Sequence, residues 1–186
     1  SKMEPKPLQI LIDLLKNEND DVKCIVASAL SKIEPKPLEA IPALYSVLVS
    51  EKPNPGPIDI RYNGLYDSRD MSCIALASLN SEPLEFIKKT LKHSDIRVVE
   101  SALLACKFVV PDEELVLMII ELFKNSPPYS FTKERAIYAL TGMEILKNND
   151  KLIKAILPYL IDIIENEKLE NLRSEEHTSE LQSPNT

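Results

Sequence analysis

SKMEPKPL (Ser1–Leu8) returns thirty residues later as SKIEPKPL (Ser31–Leu38), the same octapeptide with one apolar residue exchanged for another. Self-similarity at a fixed period of about 20 to 50 residues marks a stacked-repeat protein, because each copy is one supersecondary unit that cannot bury its apolar face alone. The residues between the copies say what the unit is made of. From Leu8 to Lys16, steps of 100° place Leu8, Ile10, Leu11, Ile12, Leu14 and Leu15 on an arc of about 200°, with Gln9, Asp13 and Lys16 on the remainder. So wide an arc needs helices on two sides. NENDD (Asn17–Asp21) then makes a polar turn, and a second helix begins with Asp20 or Asp21 as its cap.

The same alternation continues along the chain. It predicts helices over 7–17, 21–33, 37–50, 69–80, 83–92, 95–109, 112–125, 131–147 and 150–166. Turns of a few residues set sequence neighbours antiparallel, as four hairpins and one leading helix. The chain has 14 Pro and only 3 Gly, and most of the Pro residues fall where helices begin or end, which suits an all-α chain. The expected fold is an α-solenoid of stacked antiparallel helix pairs, a superhelix without one closed core.

Internal alignment supports a common unit. CIVASAL (Cys24–Leu30) corresponds to CIALASL (Cys73–Leu79), each running into an EP dipeptide, and ERAIYAL (Glu134–Leu140) is a third echo. A small or branched residue, a small residue three positions on and a following Leu recur as Val26, Ala29 and Leu30, as Ala75, Ser78 and Leu79, and as Ala136, Ala139 and Leu140. Small residues let helix axes approach closely while the Leu fills the groove between layers. The spacing is uneven, 49 residues from Leu30 to Leu79 and 61 from Leu79 to Leu140, and DIRVVESALLACKFV places its Ala one position out.

This pattern resembles HEAT repeats, above all the short variety of about 30 residues in phycobilin-lyase-type proteins. The likeness is carried by Asp21-Val22-Lys23 and Asp95-Ile96-Arg97 as DxVR-like helix openings, by the small and Leu positions above, and by EAIPAL (Glu39–Leu44) and LPYL (Leu157–Leu160) in second helices. It covers residues 1–166 and implies architecture. No catalytic motif of such lyases can be placed on these positions. A second resemblance lies in RSEEHTSELQS (Arg173–Ser183), which looks like a translated sequencing adapter. On that reading 173–186 is a non-native tail, 1–172 is a repeat array and a fragment, and the native ends lie elsewhere.

Charge and composition exclude some classes. The net charge is −7; setting the tail aside removes Arg173, Glu175, Glu176 and Glu180 and leaves −5. A mildly acidic chain has no general attraction to phosphate backbones or anionic lipid, so neither nucleic acid nor membrane is an expected partner. Cys24, Cys73 and Cys106 are odd in number, lack CxxC spacing and sit in apolar helical stretches, which reads as buried thiols in a reducing, cytoplasmic setting and not as a disulfide framework or a metal site. Outside the tail His93 is the sole histidine, there is no HExxH, and Gly56, Gly64 and Gly142 form no phosphate-cradling loop. No enzyme chemistry, metal or cofactor is expected.

The features left are binding candidates. Residues 51–69 interrupt the repeat with Pro53, Pro55, Pro57 and the candidate contacts Arg61, Tyr62 and Tyr66, residue types favoured in interface anchors. The same stretch also reads as a tolerated loop. Lys88, Lys89, Lys92 and His93 form a basic group at a helix end, which the helix dipole alone would favour, and Arg97 follows. Glu39, Glu85, Lys89 and Lys154 are the polar positions of the second helices. The expected function is a protein-interaction scaffold that grips a protein or peptide segment along that layer, with self-association through exposed terminal helices. The alternative is an enzyme accessory, a phycobilin-lyase-type subunit or, against the acidic charge and the lack of Trp, a helical-repeat DNA glycosylase.

Overall fold

A computed structural model describes residues 7–50, 67–127, 130–143, 150, 153–154, 157–158 and 161. The described regular elements are all helical: α1 (Pro7–Leu14), α2 (Asp20–Leu30), α3 (Ile41–Leu48, led in by a 3-10 turn at Leu38–Ala40), α4 (Ser68–Leu79), α5 (Pro83–Thr90), α6 (Ile96–Ala105, run out by a 3-10 turn at Cys106–Phe108), α7 (Glu113–Asn125) and α8 (Phe131–Gly142). Positions 150, 153–154, 157–158 and 161 are helical as well, where the sequence predicts a ninth helix. The chain is an α-solenoid, as the repeat implied.

Each helix begins where the chain offers a polar cap or a Pro. Asn19, Asp67, Asp95, Asp112 and Ser130 accept backbone N–H groups at the starts of α2, α4, α6, α7 and α8, and Pro83 stands at the first position of α5. The cap of α2 is thus Asn19, not Asp20 or Asp21: its side chain takes the N–H groups of Asp21 and Val22, which leaves the Asp20 carboxylate free to point elsewhere. Asp95 likewise is the residue outside its helix, whereas Asp21 is inside α2, so the two DxVR-like triplets are not structurally equivalent. Several helices stop earlier than their periodicity suggests, α1 at Leu14 and α2 at Leu30. α8 leaves the helix at Met143; the predicted stretch 144–147 lies outside the described residues.

Helices α2, α4, α6 and α8, the first-type helices, pack side by side in chain order and form one continuous layer. The others, the second-type helices, lie against that layer: α1 on α2, α3 on α4, α5 across α4 and α6, α7 on α8. The strongest hairpins are therefore α3–α4 and α7–α8, so the helix that precedes a first-type helix holds it more than the one that follows. Val26, Leu30, Ala75, Leu79, Ala136, Ala139 and Leu140 are buried as the repeated pattern requires, while Ala29 and Ser78 are only partly covered. α4 is the most enclosed helix, with ten of its twelve residues buried, because it has neighbours on every side; α1 has none buried. Cys73 and Cys106 are enclosed and Cys24 is half-buried. Burial pushes their thiols up, to about 11 for Cys24 and about 12 for Cys106, which makes them poor nucleophiles.

Candidate functional site

The polar residues anticipated on the second-type helices divide by where the fold puts them. Glu39 leads into α3, whose exposed positions Pro42, Tyr45 and Ser46 continue its stripe at helical spacing. On α5 Glu85, Lys89 and the following Lys92 make a second stripe, and on α7 Glu114, Glu121 and Asn125 make a third. These side chains are exposed because the opposite flank of each helix is spent on the first-type layer. Tyr45 is 47% exposed and was not singled out in the sequence; its apolar neighbours in EAIPALYSVL gave it the look of a core residue. Lys154 is exposed on the last helical stretch. Arg61, Tyr62 and Tyr66 lie outside the described residues, as does 51–66 of the insertion. Ser68 and Arg69, counted with it in the sequence, form the first turn of α4.

Lys88 is placed differently from Lys89. Only 5% exposed, it turns toward α7, where its Nζ lies 2.6 Å from Asp112 and 2.6 Å from Glu114, and 3.3 Å from Glu85 one turn back on α5. The hydrogen bond to Asp112, then that to Glu114, raises the ammonium pKa and holds the charge on. Its role is to fasten α5 to the start of α7. His93 accepts the N–H of Asp95 on Nδ1 at 3.0 Å, and Arg97 folds back onto the Asp95 carboxylate at 2.8 Å. Of the basic group, Lys89 and Lys92 remain as exposed side chains.

The densest polar chemistry runs along the edge where α2, α4, α6 and α8 begin. Parallel stacking sets four helix N-termini together, each favouring negative charge, and Asp20, Asp67, Asp70 and Asp95 answer it. Asp20 accepts both the N–H (3.1 Å) and the Oγ–H (2.5 Å) of Ser68, joining α2 to α4. Arg69, itself buried, donates to the carbonyl of Ser50 at 2.6 Å and so fixes the end of α3 against the start of α4. Thr132 donates to Glu100, joining α8 to α6.

At the centre is Asp70, which is fully buried. Its carboxylate accepts the N–H of Asp67 in a reciprocal capping box, the Oγ–H of Ser101 on α6 at 2.7 Å, and a two-pronged pair from Arg135 on α8 at 2.8 and 3.0 Å. One carboxylate thus ties three successive helices. Burial, then the charge of Asp67, pushes its pKa up to about 6, with Arg135 opposing. A carboxyl in that range could serve as a general base, but no face of it is open to a substrate. The sequence held one signal for this arrangement: Arg135 stands where the two aligned segments carry Ile25 and Ile74, a charge at an apolar repeat position. Asp70 and Ser101 gave none, since Asp70 reads as an ordinary first-turn acid and Ser101 as a small residue in a packed row.

Among the described residues no group of three or more His, Cys, Asp or Glu side chains is placed to hold a metal, and no helix is long and apolar enough to cross a membrane. No protein-family description matches the chain, and no curated protein is detectably similar in sequence. Among solved structures, the complex of CpcE and CpcF of phycocyanin lyase from Nostoc sp. PCC7120 is similar with a TM-score of 0.47 and 19% identity, over 86% of this chain and 61% of that one. An engineered protein is similar with a TM-score of 0.41 and 18% identity, over 83% and 68%. The chain spans only 61% of the length of the lyase chain it matches.

Proposed function

We propose that the chain is a protein-interaction scaffold with no catalytic activity of its own, working in the cytoplasm, and that it holds a protein or peptide segment along its second-type helices. The observation that carries this reading is the repeated outward stripe on α3, α5 and α7, with Glu39 and Tyr45, Glu85 and Lys89, and Glu114 and Glu121 at helical spacing on successive helices. A repeat array turns such stripes into an extended surface, and Tyr with mixed charges is suited to grip a segment of complementary pattern.

The test is comparative capture. The native chain and the variant E39K/Y45A/E85K/K89E, checked for unchanged helical circular dichroism, are used as bait against the same extract. A partner retained by the native chain and lost by the variant supports the reading; equal retention removes the surface from it. Recovery of chromophore-transfer activity with the captured partner would move the assignment to an enzyme accessory. Retention on heparin at low salt would oppose it altogether, since an acidic scaffold should pass through. Copies of the chain are also proposed to associate through the terminal helix α1, where Ile10 is 49% exposed and Leu14 36%. A single monomeric species in sedimentation velocity at high concentration would rule that out.

A further inference from the structure

A helical-repeat array is held by contacts between adjacent helices, and such an array opens layer by layer. Two polar ties in this chain reach further than the next helix. Asp70 on α4 takes a two-pronged pair from Arg135 on α8, although α6 is packed between those helices. Lys88 on α5 reaches Asp112 at the cap of α7 and Glu114 in its first turn. Both ties run from the pair α4–α5 to the pair α7–α8, with α6 between the pairs in the chain. We propose that these ties, the Asp70–Arg135 pair above all, clamp α4 to α8 into one cooperative unit that opens as a whole, where neighbour packing alone would let α8 leave by itself.

The geometry at Asp70 supplies the reason. Arg135 stands where the aligned segments carry Ile25 and Ile74, so a charge occupies a position that the repeat elsewhere gives to an apolar side chain. The Asp70 side chain is 1% exposed and that of Arg135 21%, so the pair is enclosed chiefly around the carboxylate. If α8 leaves alone, the carboxylate loses this counter-charge while Ser101 of α6 and the reciprocal cap with Asp67 still hold it between α4 and α6. A carboxylate kept enclosed without its cation is strongly disfavoured. Separation of α6 as well relieves it, and α4 then loses the neighbour that covers one of its flanks. A bond that needs three helices at once therefore turns two neighbour contacts into a single step.

The middle helix is suited to such a clamp, since seven of the ten residues of α6 are buried. Lys88 carries less of the effect, because its carboxylate partners are 45 to 63% exposed and water screens them; it keeps α5 attached to the unit. On the other side of α4, Asp20 bonds Ser68 and Arg69 bonds the Ser50 carbonyl, which join adjacent helices. Helices α1 to α3 can thus open from their own side while the clamp stays shut.

Native-state hydrogen exchange of the full chain in rising, sub-denaturing urea tests it. The protected amides of α4, of α6 and of the turns of α8 around Arg135 should converge on one opening free energy and one urea slope. An opening of those α8 turns with a distinctly smaller slope than α4 overturns the proposal. In D70N/R135Q, which removes the pair without stranding a charge, the α8 amides should exchange about tenfold faster relative to those of α4, the scale of a coupling between residues in direct contact. If α4 and α8 lose protection equally there, the pair adds stability without coupling and the proposal fails. K88M should leave the ratio of α8 to α4 exchange near its native value; a change as large as that in D70N/R135Q would take the clamp away from Asp70. Should the double variant not fold, the convergence or divergence of the native isotherms decides by itself.

Discussion

At the scale of single residues, the difference between Arg135 and Lys88 shows how burial decides what an ion pair is worth. The Asp70 side chain is 1% exposed and that of Arg135 21%, so removing the guanidinium leaves a carboxylate enclosed without its counter-charge. R135Q is expected to lower unfolding stability by about 3 to 5 kcal/mol, and D70N/R135Q by distinctly less, because the double variant leaves no charge stranded. Urea denaturation of the four chains closes that cycle; equal losses in R135Q and the double variant would contradict it. Lys88 meets carboxylates that are 45 to 63% exposed, where water already screens the charge. K88M, which keeps the buried stem, should cost no more than about 1 kcal/mol, whereas K88A should cost more through lost packing. The sequence showed Lys88 and Lys89 as equals, since adjacent residues on a helix look alike in a list; they differ only because a 100° step carries one toward α7 and the other to water.

At the scale of elements, caps decided more than periodicity did. The apolar pattern located every described helix, and it overran their ends because hydrophobic residues such as Ile33 still pack on the core after the helix has stopped. Asn19 is where a one-residue shift had consequences: with the cap outside, Asp20 is released to bond Ser68 across the layer. N19A should therefore destabilise by about 0.5 to 2 kcal/mol, and D20A should loosen α4 relative to α2 without unwinding α2. Loss of α2 helicity by circular dichroism in D20A would show that the assignment of cap and tie is reversed. Packing in the continuous layer is tight at Ala136, which has no exposed surface. A136L should overpack the α6–α8 contact and cost about 1 to 3 kcal/mol, read as a lower urea midpoint with an unchanged slope.

At the scale of the whole molecule, a stack held by neighbour contacts should open from its ends. Hydrogen exchange is expected to be slowest in α4 and α6, which have helices on both sides, and fastest among α1 to α6 in α1, which buries no residue; uniform protection would mean one cooperative core. Global stability should pass through an acid-side maximum at about pH 4 to 5. Asp70, raised by burial, favours the folded state as pH falls through 6, whereas Asp95, lowered to about 2 chiefly by Arg97, loses its contribution as pH drops from the ordinary carboxyl range toward 2. A stability curve rising steadily from pH 4 to 8 would contradict that balance. The all-helical repeat and the burial of its recurring positions Val26, Leu30, Ala75, Leu79, Ala136, Ala139 and Leu140 were settled by the amino-acid order alone, because helical period, Pro placement and the recurrence of a whole octapeptide are local properties of the chain. Which helices pair most closely, which of two adjacent lysines is consumed, and the meeting of Asp70, Ser101 and Arg135 over 31 and 65 residues of separation were decided only by the tertiary structure. Nothing local distinguishes a carboxylate that caps its own helix from one that also joins two others, since that depends on which side chains the stacking of layers brings within reach.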